Sequence, residues 1–134
     1  MTAARRMTIL CRNAKVLLKV AGYNVIIVPE RSLQQRFLAH LIASKGNADV
    51  RYIRIKISIK MVVSFAEVEK HCVREICEIR KQIARNPKTP RFHGEIWVAT
   101  ADGRFQCYEI SLDALRETSP GTRALVTLME GAVV

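Results

Sequence analysis

The chain has 134 residues, 49% of them hydrophobic and 25% charged, which is one-domain size with enough apolar material for a core and excludes an intrinsically disordered polymer. Lysine and arginine number 22 against 12 acids, a formal charge of +10, and such an excess favours polyanionic partners, nucleic acid first among them. No apolar run approaches the ~20 residues of a membrane span. Met1 to Leu10 lacks the sustained apolar stretch of a secretion signal, and Cys11, Cys72, Cys77 and Cys107 form no Cys-x-x-Cys pair, so a cytoplasmic setting without a zinc site is expected.

From about Ala4 to Ala21, Met7, Leu10, Cys11, Ala14, Leu17, Leu18 and Ala21 recur at helical spacing, and Gly22 stands where a left-handed cap would end the helix. Arg5, Arg6, Arg12, Lys15 and Lys19 decorate the rest of it. Tyr23 to Val28, stopped by Pro29, reads as a short, largely buried strand. Glu30 to Arg36 is a polar loop. Phe37 to Ala43 predicts a second strand, ended by the turn cluster Ser44-Lys45-Gly46-Asn47.

Val50 to Lys60 is the most telling segment. Its side chains alternate, so Ile53, Ile55, Ile57 and Ile59 fall on one face, and Tyr52, Arg54, Lys56, Ser58 and Lys60 on the other. A core-forming strand with three cations on its second face fits an anionic ligand there. Tyr52 beside them can stack on a base or shield their stems.

Ser64-Phe65-Ala66-Glu67 is a capping box, with Val63 and Val68 placed as its hydrophobic staple. Phe65, Val68, Cys72, Ile76, Ile79 and Ile83 then form the apolar stripe of one helix, ended by Pro87 and Pro90. Glu95 to Thr100 and Phe105 to Ile110 predict two strands joined by the hairpin signal Ala101-Asp102-Gly103-Arg104. A short capped helix from Ser111 and a last helix from Ser119-Pro120 to Glu130, stopped at Gly131, follow. The whole reads as a single α/β domain over residues 1–134, with a core at about 4–110 and a helical extension at 111–134.

This order, with a three-strand meander between two helices, resembles the restriction-endonuclease-like (PD-(D/E)XK) superfamily, in particular its small archaeal Holliday-junction resolvases, over about Ala4 to Ile110. The resemblance implies a central mixed sheet flanked by helices. It also implies a site where a glutamate on the first helix, an aspartate early in the second strand and a Glu-x-Lys in the third gather magnesium, the lysine polarising phosphate or water.

Laid onto this chain, the aspartate strand is Ala39-His40-Leu41-Ile42-Ala43, with His40 in the acid's place, and Arg54-Ile55-Lys56 takes the Glu-x-Lys position. The lysine is kept, the glutamate is an arginine, and no acid stands between Met1 and Gly22. A hard dication needs oxygen ligands. An arginine ~4 Å away would repel it by roughly 8 kcal/mol at an effective dielectric near 20, and arginine does not deprotonate. The degenerate site suits phosphate instead, which Arg54 can grip bidentately beside the point charges of Lys56 and Lys60.

The expected activity is therefore binding of a nucleic-acid backbone, DNA first, by Arg54, Lys56 and Lys60 with Tyr52, Arg51, Lys45 and His40 around them, without metal or cofactor. An active magnesium-dependent endonuclease would need relocated acids, Asp49 and Glu30 acting with Lys56. Glu67, Glu69 and Glu75 are further acids, each with a plainer role as cap, surface group or ion-pair partner. A third reading is an assembly subunit, the apolar tail Ala124 to Val134 docking internally or across a homodimer. His71 and Trp97 read as structural, and neither a Gly-rich phosphate loop nor a Gly-x-Ser-x-Gly elbow is present.

Overall fold

The computed structural model describes residues 2–29, 39–46, 49–60, 63–85 and 92–118. Helix α1 (Ala3–Val20) begins at Thr2, whose hydroxyl accepts the Arg5 amide at 3.2 Å. It ends in a Schellman motif: the Gly22 N–H donates to the Lys19 carbonyl at 2.9 Å and the Tyr23 N–H to that of Leu18 at 3.0 Å. Gly22 takes φ 92° there, as the cap foreseen at this position requires.

Six strands follow as one sheet in sequence order: β1 (Asn24–Ile27), β2 (Leu41–Lys45), β3 (Asp49–Ile57), β4 (Phe92–Ala99), β5 (Phe105–Ile110) and β6 (Leu115–Glu117). β3 and β4 are parallel and every other neighbouring pair is antiparallel. The parallel step needs a crossover. Helices α2 (Phe65–His71) and α3 (Val73–Arg85) supply it. The α/β class and the central mixed sheet flanked by helices are as expected.

Strand alternation splits the core into two layers. Leu41, Ala43, Ile53, Ile55, Trp97, Ala99, Phe105 and Cys107 face α1 and meet Leu10, Ala14, Leu17 and Leu18. Ile96, Val98, Tyr108 and Ile110 face the other way, against Val68, Cys72, Ile76 and Ile79. On that second face Gly94 gives α3 its approach: a Cβ built there would lie 2.2 Å from Ile79 Cγ2.

Several expectations are corrected. The first strand is largely exposed, being the edge of the sheet and paired among the described strands with β2 alone. The second strand begins at Leu41 and continues through Ser44 and Lys45, leaving Gly46 (φ 63°) to start the turn. β3 stops at Ile57, and Ile59 points into solvent at 91% exposure instead of joining the greasy face. The predicted second helix is two helices, interrupted at Cys72 (φ −110°, ψ 17°), although its buried stripe from Val68 to Ile79 runs across the break. No helix starts at Ser111. Its hydroxyl accepts the Ala114 amide at 3.1 Å and its N–H donates to the Ala114 carbonyl, closing a turn that leads into β6. An N-cap serine and a turn serine make the same local bond, and pairing with β5 decides between them.

The capping box is present as read, Ser64 and Glu67 bonding each other's backbone amides, and Gly103 (φ 83°) closes the Asp-Gly hairpin. The loop Glu30–Arg36, the turn residue Asn47, Pro87, Pro90, the last helix from Ser119 and the apolar tail lie outside the described residues. Among the described residues no helix is long and apolar enough to cross a membrane.

Candidate nucleic-acid interface

The stripe on β3 exists, but its cations meet carboxylates. Arg54 and Lys56 project toward the α2–α3 layer, as strand alternation from buried Ile53 and Ile55 demands. There the Lys56 ammonium donates to Glu75 Oε1 at 2.8 Å, and Lys60, just past the strand, bonds Glu67 Oε2. Burial alone would raise the Glu75 carboxyl, yet the hydrogen bond from Lys56, a backbone amide and the charges of Lys56 and Arg54 together hold the group below its usual value. Lys60, followed by the Ser64 amide, does the same for Glu67. Burial lowers the Arg54 guanidinium, with the Glu75 charge opposing it. Lys56 and Lys60 are thus each met by a carboxylate.

An open recess of about 350 Å³ lies where β3 leaves the sheet, lined by Lys56, Ser58, Lys60, Glu67, His71 and Cys72 among others. The Ser58 N–H bonds the Ala99 carbonyl and the Ala101 N–H that of Lys60, so the recess sits at the carboxyl ends of the two parallel strands. Ligands of open α/β sheets collect at such ends. One side is fixed by Gln106, whose amide accepts the Val63 N–H at 2.7 Å and donates to the Val63 carbonyl at 3.0 Å. The sequence reading missed this clamp, since a glutamine in an alternating strand carries no marker of its partner.

Arg51 and Lys45, expected beside the stripe, lie on the opposite, α1-facing side. The Lys45 ammonium reaches the Ala21 carbonyl at 3.3 Å and stands 5.5 Å from the Tyr23 ring centroid. Arg51 bonds Glu95 Oε2 at 2.7 Å and Asp49 Oδ1 at 3.2 Å. The Glu95 carboxylate is fully buried and also accepts the Trp97 indole N–H at 3.0 Å. Asp49 accepts the Tyr23 hydroxyl at 2.9 Å. Burial would raise the Asp49 carboxyl, but Tyr23 and Arg51 hold it below its usual range. The network continues through His93, 2.9 Å from Glu109, which also meets Arg116 at 3.1 Å. These groups are occupied in joining the starts of β3 and β4 to the end of β5.

Asp49 and Lys56 therefore do not meet in one site. Seven strand residues place them ~23 Å apart and on opposite faces. Glu30, the other relocated acid, lies outside the described residues. Among the described residues no group of three or more His, Cys, Asp or Glu side chains could hold a metal ion. His40 is 7% exposed, and its Nδ1 accepts the Ile55 N–H at 2.9 Å, a satisfied histidine joining β2 to β3. Burial, then the charges of Arg54 and Lys56, push its pKa down to about 4, so the ring is neutral as that bond requires. Tyr52 keeps its place on the stripe face, half-buried.

The uncompensated charge lies elsewhere. Arg5, Arg6, Arg12, Lys15 and Lys19 of α1 have no acid within their helix and form no ion pair with any described residue. Arg5, Arg12 and Lys19 are exposed and spaced by seven, so they stand in one row, each about 10 Å from the next. This row runs along the outer side of the helix, away from the buried Leu10, Ala14 and Leu17. The sequence displayed all five cations. It could not show that the β3 cations would be neutralised, since that depends on where α2 and α3 pack.

No protein-family model matches this chain, and no curated protein matches it. Among solved structures it is similar to Archaeoglobus fulgidus Hjc, a Holliday junction resolvase from an archaeal hyperthermophile, with a TM-score of 0.49 and 13% identity over 90% of this chain and 87% of that one. So loose an overlap transfers neither a site nor an activity.

Proposed function

We propose that this protein binds nucleic acid through the phosphate backbone, with a nuclease-like α/β fold and without cutting it. The observation that carries the reading is the acid-free α1, whose five cations have no carboxylate partner among the described residues. A row of charges about 10 Å apart is on the scale of the ~12 Å major groove and suits phosphates on its two rims. Contacts of that kind position the duplex and carry no sequence code. Arg54, Lys56 and Lys60 form a secondary surface, since their charge is largely met within the protein.

A homodimer built on the same helix is disfavoured by its charge, which would set like against like. The endonuclease reading has no described metal-holding group to support it. The test is duplex DNA binding by the wild type and by Arg12→Glu/Lys19→Glu, with plasmid incubated in magnesium alongside. The proposal expects the variant to lose at least tenfold in affinity and the plasmid to stay intact. Equal binding by both proteins overturns the α1 assignment, and cleavage abolished by Lys56→Ala overturns the non-cutting one.

A further inference from the structure

The recess at the end of β3 presents two lysines, Lys56 and Lys60, each held by a carboxylate from a different helix, Glu75 of α3 and Glu67 of α2. We propose that this recess is a phosphate site whose two lysines are held in the free protein by Glu67 and Glu75 acting as phosphate stand-ins, and that a phosphate group binds there by taking the lysines from them. The inference rests on the nucleic-acid reading for its ligand class, but concerns a surface separate from α1.

Chemistry and geometry both support it. Carboxylate and phosphate oxygens make the same charge-assisted bonds to an ammonium, so either can occupy the lysines. Both ion pairs are partly open to water, the side chains of Lys56 and Glu75 being 35% and 14% exposed and those of Lys60 and Glu67 56% and 28%, so an incoming anion can reach the lysines. Glu75 also keeps Oε2 buried with no hydrogen-bond partner, a state that release into solvent relieves. The two acids sit on either side of the Cys72 interruption, one on each helix. The recess of about 350 Å³ has room for a phosphate between the lysines, with Ser58 and His71 also on its lining.

Glu67→Gln/Glu75→Gln is the test variant, because glutamine keeps the capping-box role at position 67. Glu69→Gln/Glu78→Gln removes the same charge from α2 and α3 without touching the recess. Binding of inorganic phosphate and of a dinucleotide, followed by amide and lysine NMR shifts in the full chain, distinguishes a monoester-like dianion from a diester. The first variant is expected to bind one of these probes about tenfold more tightly than wild type, the scale of two partly exposed ion pairs. The control should match wild type, and adding Lys56→Ala/Lys60→Ala should erase the gain. Equal gains in both double variants, or a gain that survives loss of the lysines, overturns the proposal. Its failure leaves duplex binding by α1 intact, and loss of duplex binding on α1 charge reversal leaves the small-probe result standing.

Discussion

His40 shows how much one side chain can hide from a sequence reading. Laid against the nuclease pattern it stood at a metal ligand's position, yet it serves as backbone acceptor for Ile55 in a place too dry for charge. The linkage has a definite sign. An unfolded chain protonates this ring near pH 6.5, whereas the folded one resists until about 4. The unfolded state binds more protons throughout that window, so stability falls as pH falls through it, by roughly 3 kcal/mol at full extent. Urea unfolding from pH 7 to pH 4 should show this loss in the wild type and a correspondingly smaller one in His40→Asn. Identical pH dependence in both would contradict the assignment. Gly94 is equally quiet in the sequence. Gly94→Ala should cost about 1–3 kcal/mol by overpacking against Ile79, and Ile79→Ala in the same chain should recover part of that cost, a non-additivity visible in denaturant midpoints.

At the level of elements, what local chemistry determines could be read and what partners determine could not. The Schellman end of α1, the capping box of α2 and the Asp-Gly hairpin are settled by residues within a few positions of one another, and each was legible. The exposure of β1, the break at Cys72 and the turn at Ser111 depend on sheet order and helix docking, which no short window contains. The same holds for ion pairs. Arg51 was read as part of a basic surface because the partner that claims it, Glu95, is 44 residues away. That pair ties the parallel strands β3 and β4 at their starts, with the carboxylate sealed from water. Neutralising it strands a partly buried guanidinium, so Glu95→Gln should destabilise the fold by about 3 kcal/mol in urea unfolding. A loss below about 1 kcal/mol would show that Asp49 alone satisfies Arg51.

Across the whole molecule, positive side-chain charge meets two contrasting settings. On β3 and at the start of the sheet it is absorbed by Glu67, Glu75, Asp49 and Glu95. On α1 it is left outward, with no ion pair to any described residue. The sequence conveyed the total and a ligand class, but pointed first to the stripe, because alternation on a strand is easier to see than the absence of acids from a helix. The distinction matters for binding: a lysine that trades an internal carboxylate for a phosphate releases fewer counterions than one that was free.

The salt dependence of duplex binding tests this account most directly. Plotted as log affinity against log salt, replacing Arg5, Arg12 and Lys19 with glutamine should reduce the slope by about 3, at roughly 0.9 per phosphate contact, while Lys56→Gln/Lys60→Gln should change it by less than about 1. An unchanged slope in the α1 variant, or the larger loss in the β3 variant, would contradict it.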